Sequence, residues 1–214
     1  MGTIISLFGP DGVGKTTHAK LLALRFVKKG YKIKRVWIKN NHTIAYLIIS
    51  LLKLISKRSV VVLPSEAILT NILAQNRLGK KLWLWIDFVG VLVKLIFSVY
   101  IPKLLGYTII ADRYLPDTIV SIIITLKDPK VIRSFPIKFI ISRIIKDKTN
   151  LVMLDRSYER IKNSRSWVEP LTLIRYQKTL YHIIAKLINA PIVLTDKNMD
   201  EVHRNILSSL SLRR

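Results

Sequence analysis

The stretch Thr3-Ile4-Ile5-Ser6-Leu7-Phe8 runs directly into Gly9-Pro10-Asp11-Gly12-Val13-Gly14-Lys15-Thr16, and then into Thr17-His18-Ala19-Lys20-Leu21-Leu22. The first part is a short β-rich run, the last a helical pattern, and the middle a complete G-x-x-x-x-G-K-T. Glycines at such a turn let successive backbone N–H groups converge on an anion, and the helix that follows adds the positive end of its dipole. The pattern predicts a loop that holds the phosphates of a nucleoside triphosphate, formed by Gly9, Asp11, Gly12, Val13, Gly14, Lys15, Thr16 and Thr17. Lys15 is expected to point at the β- and γ-phosphates and to pack little, while the Thr16 hydroxyl ligates Mg²⁺.

Working outward, short runs rich in branched residues alternate with longer helical patterns, which is how a parallel sheet covered by helices reads. The strand candidates are Thr3–Phe8, Lys32–Ile38, Tyr107–Ala111, Leu151–Leu154 and Pro191–Thr195. Helical patterns lie near 15–29, 43–57, 65–78, 81–103, 117–126, 156–163, 170–189 and 198–210. Between Lys127 and Lys148 the pairs Asp128-Pro129 and Phe135-Pro136 interrupt the pattern, and no element is assigned there. The expectation is an α/β fold with a five-stranded parallel sheet flanked by helices on both faces. No repeat or Gly/Ser linker divides residues 1–214, so a single domain is expected.

Composition narrows the chemistry. With 214 residues, half of them apolar, the chain can bury a core that offsets its conformational entropy, which excludes a disordered polymer. The absence of cysteine excludes a disulfide scaffold, a thiolate zinc site and a cysteine nucleophile. Thirty-six Lys and Arg against 13 Asp and Glu leave a net charge of +23, as expected of a protein that meets phosphates on nucleotides, nucleic acid or anionic lipid. The N-terminus has neither the basic nor the long apolar part of a signal peptide, which points to the cytoplasm. The most lipid-like stretch, Leu82 to Leu105, contains Asp87, Lys94 and Lys103, which argues against a spanning helix.

Three further stretches carry a family likeness. Pro102-Lys103-Leu104-Leu105-Gly106 precedes Ile109-Ile110-Ala111-Asp112-Arg113-Tyr114. Val152-Met153-Leu154-Asp155-Arg156-Ser157 leads into Tyr158-Glu159-Arg160-Ile161-Lys162-Asn163-Ser164-Arg165-Ser166. Together with the Gly9–Thr17 loop they resemble the thymidylate kinases, within the nucleoside-monophosphate kinase group of P-loop NTPase folds, from Thr3 to about Leu210. The likeness includes Arg175-Tyr176-Gln177-Lys178-Thr179-Leu180-Tyr181, and Ile192-Val193-Leu194-Thr195-Asp196 with Met199-Asp200-Glu201-Val202 after it.

The resemblance implies ATP and Mg²⁺ as cofactors and a nucleoside monophosphate such as dTMP as acceptor. Arg113 would clamp the acceptor phosphate with its planar fork, Asp112 would help place Mg²⁺, and Asp11 would face the acceptor. Gly12 stands where some members carry an arginine, so a catalytic arginine would come from a lid near 156–169, with Arg165 preferred over Arg160.

The sequence also departs from the family. Ile122 falls where a base-reading glutamine is usual, and an isoleucine neither donates nor accepts a hydrogen bond. Only Asp87 and Asn41 stand out as polar substitutes, so weak preference among monophosphates is expected. Trp37-Ile38-Lys39-Asn40-Asn41-His42-Thr43 replaces the family's Arg-Glu-Pro-Gly-Gly stretch, and Lys39, Asn41 and His42 are acceptor-site candidates. Asp87, Lys94 and Ser98 fall near one helix face, either toward an acceptor or as a structural polar stripe. Trp83 and Trp85 either cap a core or meet a membrane interface. Two readings rank below the nucleotide kinase: a kinase of a lipid or sugar phosphate at the membrane surface, and a nucleic-acid-binding ATPase, nucleic acid being the less favoured partner. Peripheral contact with an anionic membrane and a homodimer complete the partner expectations.

Overall fold

The computed structural model describes residues 2–38, 77–147, 150–163 and 171–210. Strand β1 (Ile4–Phe8) is buried at every position, and so is β3 (Thr108–Asp112), because helices cover both sides of each. With β2 (Ile33–Val36), β4 (Asn150–Asp155) and β5 (Ile192–Leu194) they form one all-parallel sheet of order β2-β3-β1-β4-β5. β1 lies in the middle, pairing Leu7 with Asp112 on one side and Phe8 with Met153 on the other. All five strands fall within a few residues of the positions read from sequence.

The period-two alternation of the strands sorts the core into two layers. Ile5, Leu7, Ile110, Val152 and Leu154 face α1 (Lys15–Lys28) and the C-terminal helix Met199–Ser209. Ile4, Phe8, Ile109, Ala111 and Met153 face the other side. That layer holds α2 (Arg77–Leu95), which continues through a π-helical turn (Ile96–Tyr100) into α3 (Ile101–Leu104). It also holds α4 (Leu115–Leu126), α5 (Phe135–Lys146) and the later part of α7 (Leu171–Leu187). A short α6 (Tyr158–Asn163) follows β4, and the C-terminal helix is α8.

Two elements lie between Lys127 and Asp147, where the sequence assigns none. A 3₁₀ turn spans Pro129–Arg133, and α5 follows directly. Both prolines lie in first turns, where the missing N–H has no intrahelical partner to lose, so they start these elements instead of breaking them. The helix read at 81–103 is also longer, since Arg77–Leu104 is one 28-residue helical run, long and apolar enough to cross a membrane by those measures alone. The helix read at 43–57 and nearly all of the one at 65–78 lie outside the described residues.

Candidate functional site

Parallel order and register bring two segments together at the carboxyl ends of adjacent strands, where ligand sites of open α/β sheets lie. β1 ends into the loop Gly9–Gly14, and β3 ends at Asp112-Arg113. The Arg113 N–H donates to the Leu7 carbonyl at 3.2 Å, and the Arg113 carbonyl accepts from Ile38 N at 3.2 Å. Between those bonds Arg113 adopts a left-handed φ of 75°, a conformation uncommon for a residue with a Cβ. The chain thereby turns sharply and directs the guanidinium toward the β1 loop.

The loop requires its glycines. Gly9 has φ of 140°, and a Cβ there would stand 2.1 Å from the Leu154 carbonyl oxygen. Gly14 caps α1 in a left-handed conformation, and no side chain caps the helix. The first turn carries no acidic residue, so the dipole end of α1 is not neutralised from within. Thr16 and Thr17 are exposed at this end, and Val13 is buried beneath the loop.

Lys15 is placed differently from the expectation that it packs little. It is 5% exposed. Its ammonium donates to the Gly9 carbonyl at 2.7 Å and the Pro10 carbonyl at 2.5 Å, with the Asp11 carboxylate at 3.4 Å. A long side chain starting in the first turn of α1 folds back over its own loop. Burial, followed by the like charge of Arg113, lowers its pKa to about 8.

Arg113 joins Asp11 to a residue that sequence reading passed over. Its guanidinium donates to the Asp11 carboxylate and lies 3.9 Å from Asp117, one helical turn later in α4. Asp117 is fully buried and accepts from Tyr114 N at 3.1 Å and from the Tyr181 hydroxyl at 3.0 Å. Burial raises the Asp117 pKa, opposed by Lys15 and Arg113. Two carboxylates and two cations form one network at the strand ends. Asp112 beside it is 8% exposed, and its Oδ1 has no hydrogen-bond partner among the described residues.

Arg113 and Asp11 border a cleft of about 40 Å³, lined also by Asp117, Ser121, Thr125, Gln177 and Tyr181. Ile122 is absent from it, being buried in the core layer beneath α4. Each residue along a helix rotates the side chain by roughly 100°. Ser121 and Thr125 therefore face the cleft while Ile122 faces the core. Contrary to expectation, polar groups other than Asp87 and Asn41 are available here, and Gln177 adds an amide from α7.

The remaining candidates are scattered. Asp87 is fully buried in α2 and does not line this cleft. Neither of its oxygens makes a hydrogen bond of good geometry among the described residues, and burial pushes its pKa up to about 7, opposed by the Trp83 indole nearby. It does not pair with Lys94, whose ammonium lies 5.2 Å from the centre of the Trp37 ring. Arg160 binds the Asp196 carbonyl beyond β5. It is Arg156 that reaches the loop, donating from Nη1 to the Gly12 carbonyl at 3.1 Å. Arg156 is itself fixed from below. Its carbonyl accepts from Lys178 at 2.6 Å, and Asp155 before it binds Lys178 at 3.0 Å and His182 at 2.9 Å. Lys39, Asn41, His42 and Arg165 lie outside the described residues.

The residues at these strand ends can be compared with what a nucleotide and Mg²⁺ would need. Gly9 leaves no room for a Cβ, Gly14 holds a left-handed conformation at the start of α1, Thr16 is exposed in that first turn, and Asp112 has a buried oxygen without a partner among the described residues. Among the described residues no group of three or more His, Cys, Asp or Glu could hold a metal by itself. Mg²⁺ commonly takes one or two protein oxygens together with phosphates and water, so the set fits a phosphate-borne ion. No known family model matches the chain, and no curated protein matches it.

Proposed function

We propose that the protein is an ATP-dependent phosphotransferase of the P-loop type, similar to thymidylate kinase, which moves the γ-phosphoryl group of ATP to a nucleoside monophosphate. The observation that carries this reading is the meeting of Arg113 with the G-x-x-x-x-G-K-T loop through Asp11. A fork for one phosphate thus sits beside a cradle for another, the proximity that transfer between two phosphates requires.

In this reading Gly9 to Thr17 hold the donor phosphates with backbone N–H groups and the α1 dipole. Thr16 and Asp112 hold Mg²⁺, which when bound neutralises charge on the phosphates. Lys15 exchanges its loop carbonyls for phosphate oxygens. Arg113 exchanges Asp11 for the acceptor phosphate, and Asp117 stays behind to keep the guanidinium oriented. Among the described residues Arg156, on the Gly12 carbonyl, is the arginine after β4 that touches the loop, and it would meet charge that develops during transfer.

The test is incubation with γ-labelled ATP, Mg²⁺ and a panel of nucleoside monophosphates, sugar phosphates and phosphorylated lipids. Label on a nucleoside diphosphate product supports the reading. Label only on a lipid or sugar product, or only free phosphate, refutes it.

A further inference from the structure

Helix α2 and its extension are apolar on the side that faces away from the sheet as well as on the side that packs against it. Trp83, Phe88, Val91 and Leu95 lie in the core. Leu82, Trp85, Val89, Val93, Phe97 and Leu104 are 42 to 75% exposed, at spacings of three, four and seven residues. This stripe extends along roughly 30 Å of helix. The two tryptophans separate accordingly, Trp83 into the core and Trp85 onto the stripe.

A second feature lies across α5. Phe135, itself exposed, stacks on Trp85 with ring centres 6.1 Å apart. α5 also borders a groove of about 470 Å³ against Leu187. Ile132, Ile141, Ile145 and Leu187 form apolar walls, and Arg133, Lys138 and Lys146 carry positive charge at the same groove.

We propose that this face docks on a bilayer containing anionic lipid, with α2 lying in the plane of the interface. The groove at α5 would receive part of a lipid whose headgroup meets Arg133, Lys138 and Lys146. Apolar area and basic charge together are what interfacial helices use, and neither binds strongly alone.

The occupant follows from charge. From Arg77 to Leu104 the only acidic residue is Asp87, which is buried, whereas Arg77, Lys80, Lys81 and Lys103 flank the stripe at its two ends. A second copy of a chain with net charge +23 would bring like charges together on this face. Anionic lipid offers the opposite sign together with an apolar interior. The inference is independent of the proposed catalysis.

The test is flotation of the whole protein with vesicles of phosphatidylcholine alone or mixed with phosphatidylglycerol, alongside tryptophan quenching by brominated lipid. The expected result is binding at least about tenfold stronger to the mixed vesicles, with quenching, because basic residues near an anionic surface add their affinities. Leu82→Ser/Phe97→Ser and, separately, Lys138→Glu/Lys146→Glu should each weaken it by about tenfold or more, with unchanged circular dichroism. The wild-type quenching measurement keeps the test decisive if a variant misfolds. Absence of binding and quenching in the wild type would overturn the proposal. So would well-folded variants that bind as the wild type does, or a wild-type dimer that buries Trp85 and ignores vesicles.

Discussion

Arg113 and Asp11 stand 102 residues apart in sequence and in direct contact in space, the guanidinium donating to the carboxylate. The pairing of Leu7 with Asp112 forces this meeting, because it sets the ends of β1 and β3 side by side. In the proposed enzyme, Asp11 occupies the fork that an acceptor phosphate would otherwise take. Both residues line the narrow cleft of about 40 Å³.

Arg113→Lys should raise the acceptor KM and slow transfer by about tenfold or more, since lysine keeps the charge but cannot make two parallel bonds to one phosphate. Steady-state kinetics and a separate ATP titration check this. Loss of ATP affinity with unchanged acceptor KM would assign Arg113 to the donor side.

Ser121→Ala and Gln177→Ala should each alter the ranking of monophosphates without changing the ATP KM. A site that hydrogen-bonds a base can reject analogues by about 10⁴, whereas an apolar pocket manages roughly 10 to 200-fold. Ile122→Val, in the core, should leave the ranking intact. The kcat/KM ratios for dTMP, dCMP and dGMP provide the measurement.

Most of the frame could be read from the chain, because buried parallel strands and glycine loops leave local signatures. What local sequence does not carry is rotation and position. Ile122 and Ser121 differ by one residue, yet only tertiary packing shows which faces the cleft. Pro136 reads as a breaker until the start of α5 is known, and the longer helix at Arg77–Leu104 hides its ends in an apolar run. Arg156 and Arg160 are alike in sequence, and only the folded chain shows that Arg156 reaches the Gly12 carbonyl while Arg160 binds Asp196. Asp117 gave no local signal, since its role depends on Arg113 and on Tyr181, 64 residues further on.

Lys15 should take up a proton when ATP binds. Its pKa is about 8 in the free protein, below the ordinary lysine value of 10.5, because burial and Arg113 disfavour the charged form. Phosphate nearby favours the charged form and raises that pKa. Between the free and bound values, around pH 8.5 to 9, binding therefore absorbs a proton, and near pH 6.5 it absorbs almost none. Titration calorimetry in buffers of different ionisation heat reads this directly. Equal uptake at both pH values, or the same uptake in Lys15→Met, would contradict it.

Asp87→Leu should stabilise the fold more at pH 8 than at pH 4. In the wild type the folded carboxyl titrates near 7 and the unfolded one near 3.8. As pH rises between those values the unfolded chain ionises first, so wild-type stability falls progressively and then levels off above pH 7. The loss is at most about 4 kcal/mol and is absent from the leucine variant. Urea unfolding across this range should show a gap that widens up to pH 7. A gap independent of pH would mean that Asp87 is already charged in the folded protein.

The most direct test of phosphoryl transfer at the loop beside Arg113 is the single-turnover rate of γ-labelled ATP with the best monophosphate, in wild type and Lys15→Met. Methionine preserves much of the buried stem and removes the charge. Because that charge is used most as the phosphoryl group moves, the rate should fall by about 10² or more while the variant remains folded and still binds ATP. An unchanged rate in a folded Lys15→Met protein, or no transfer to any monophosphate by the wild type, would contradict the account.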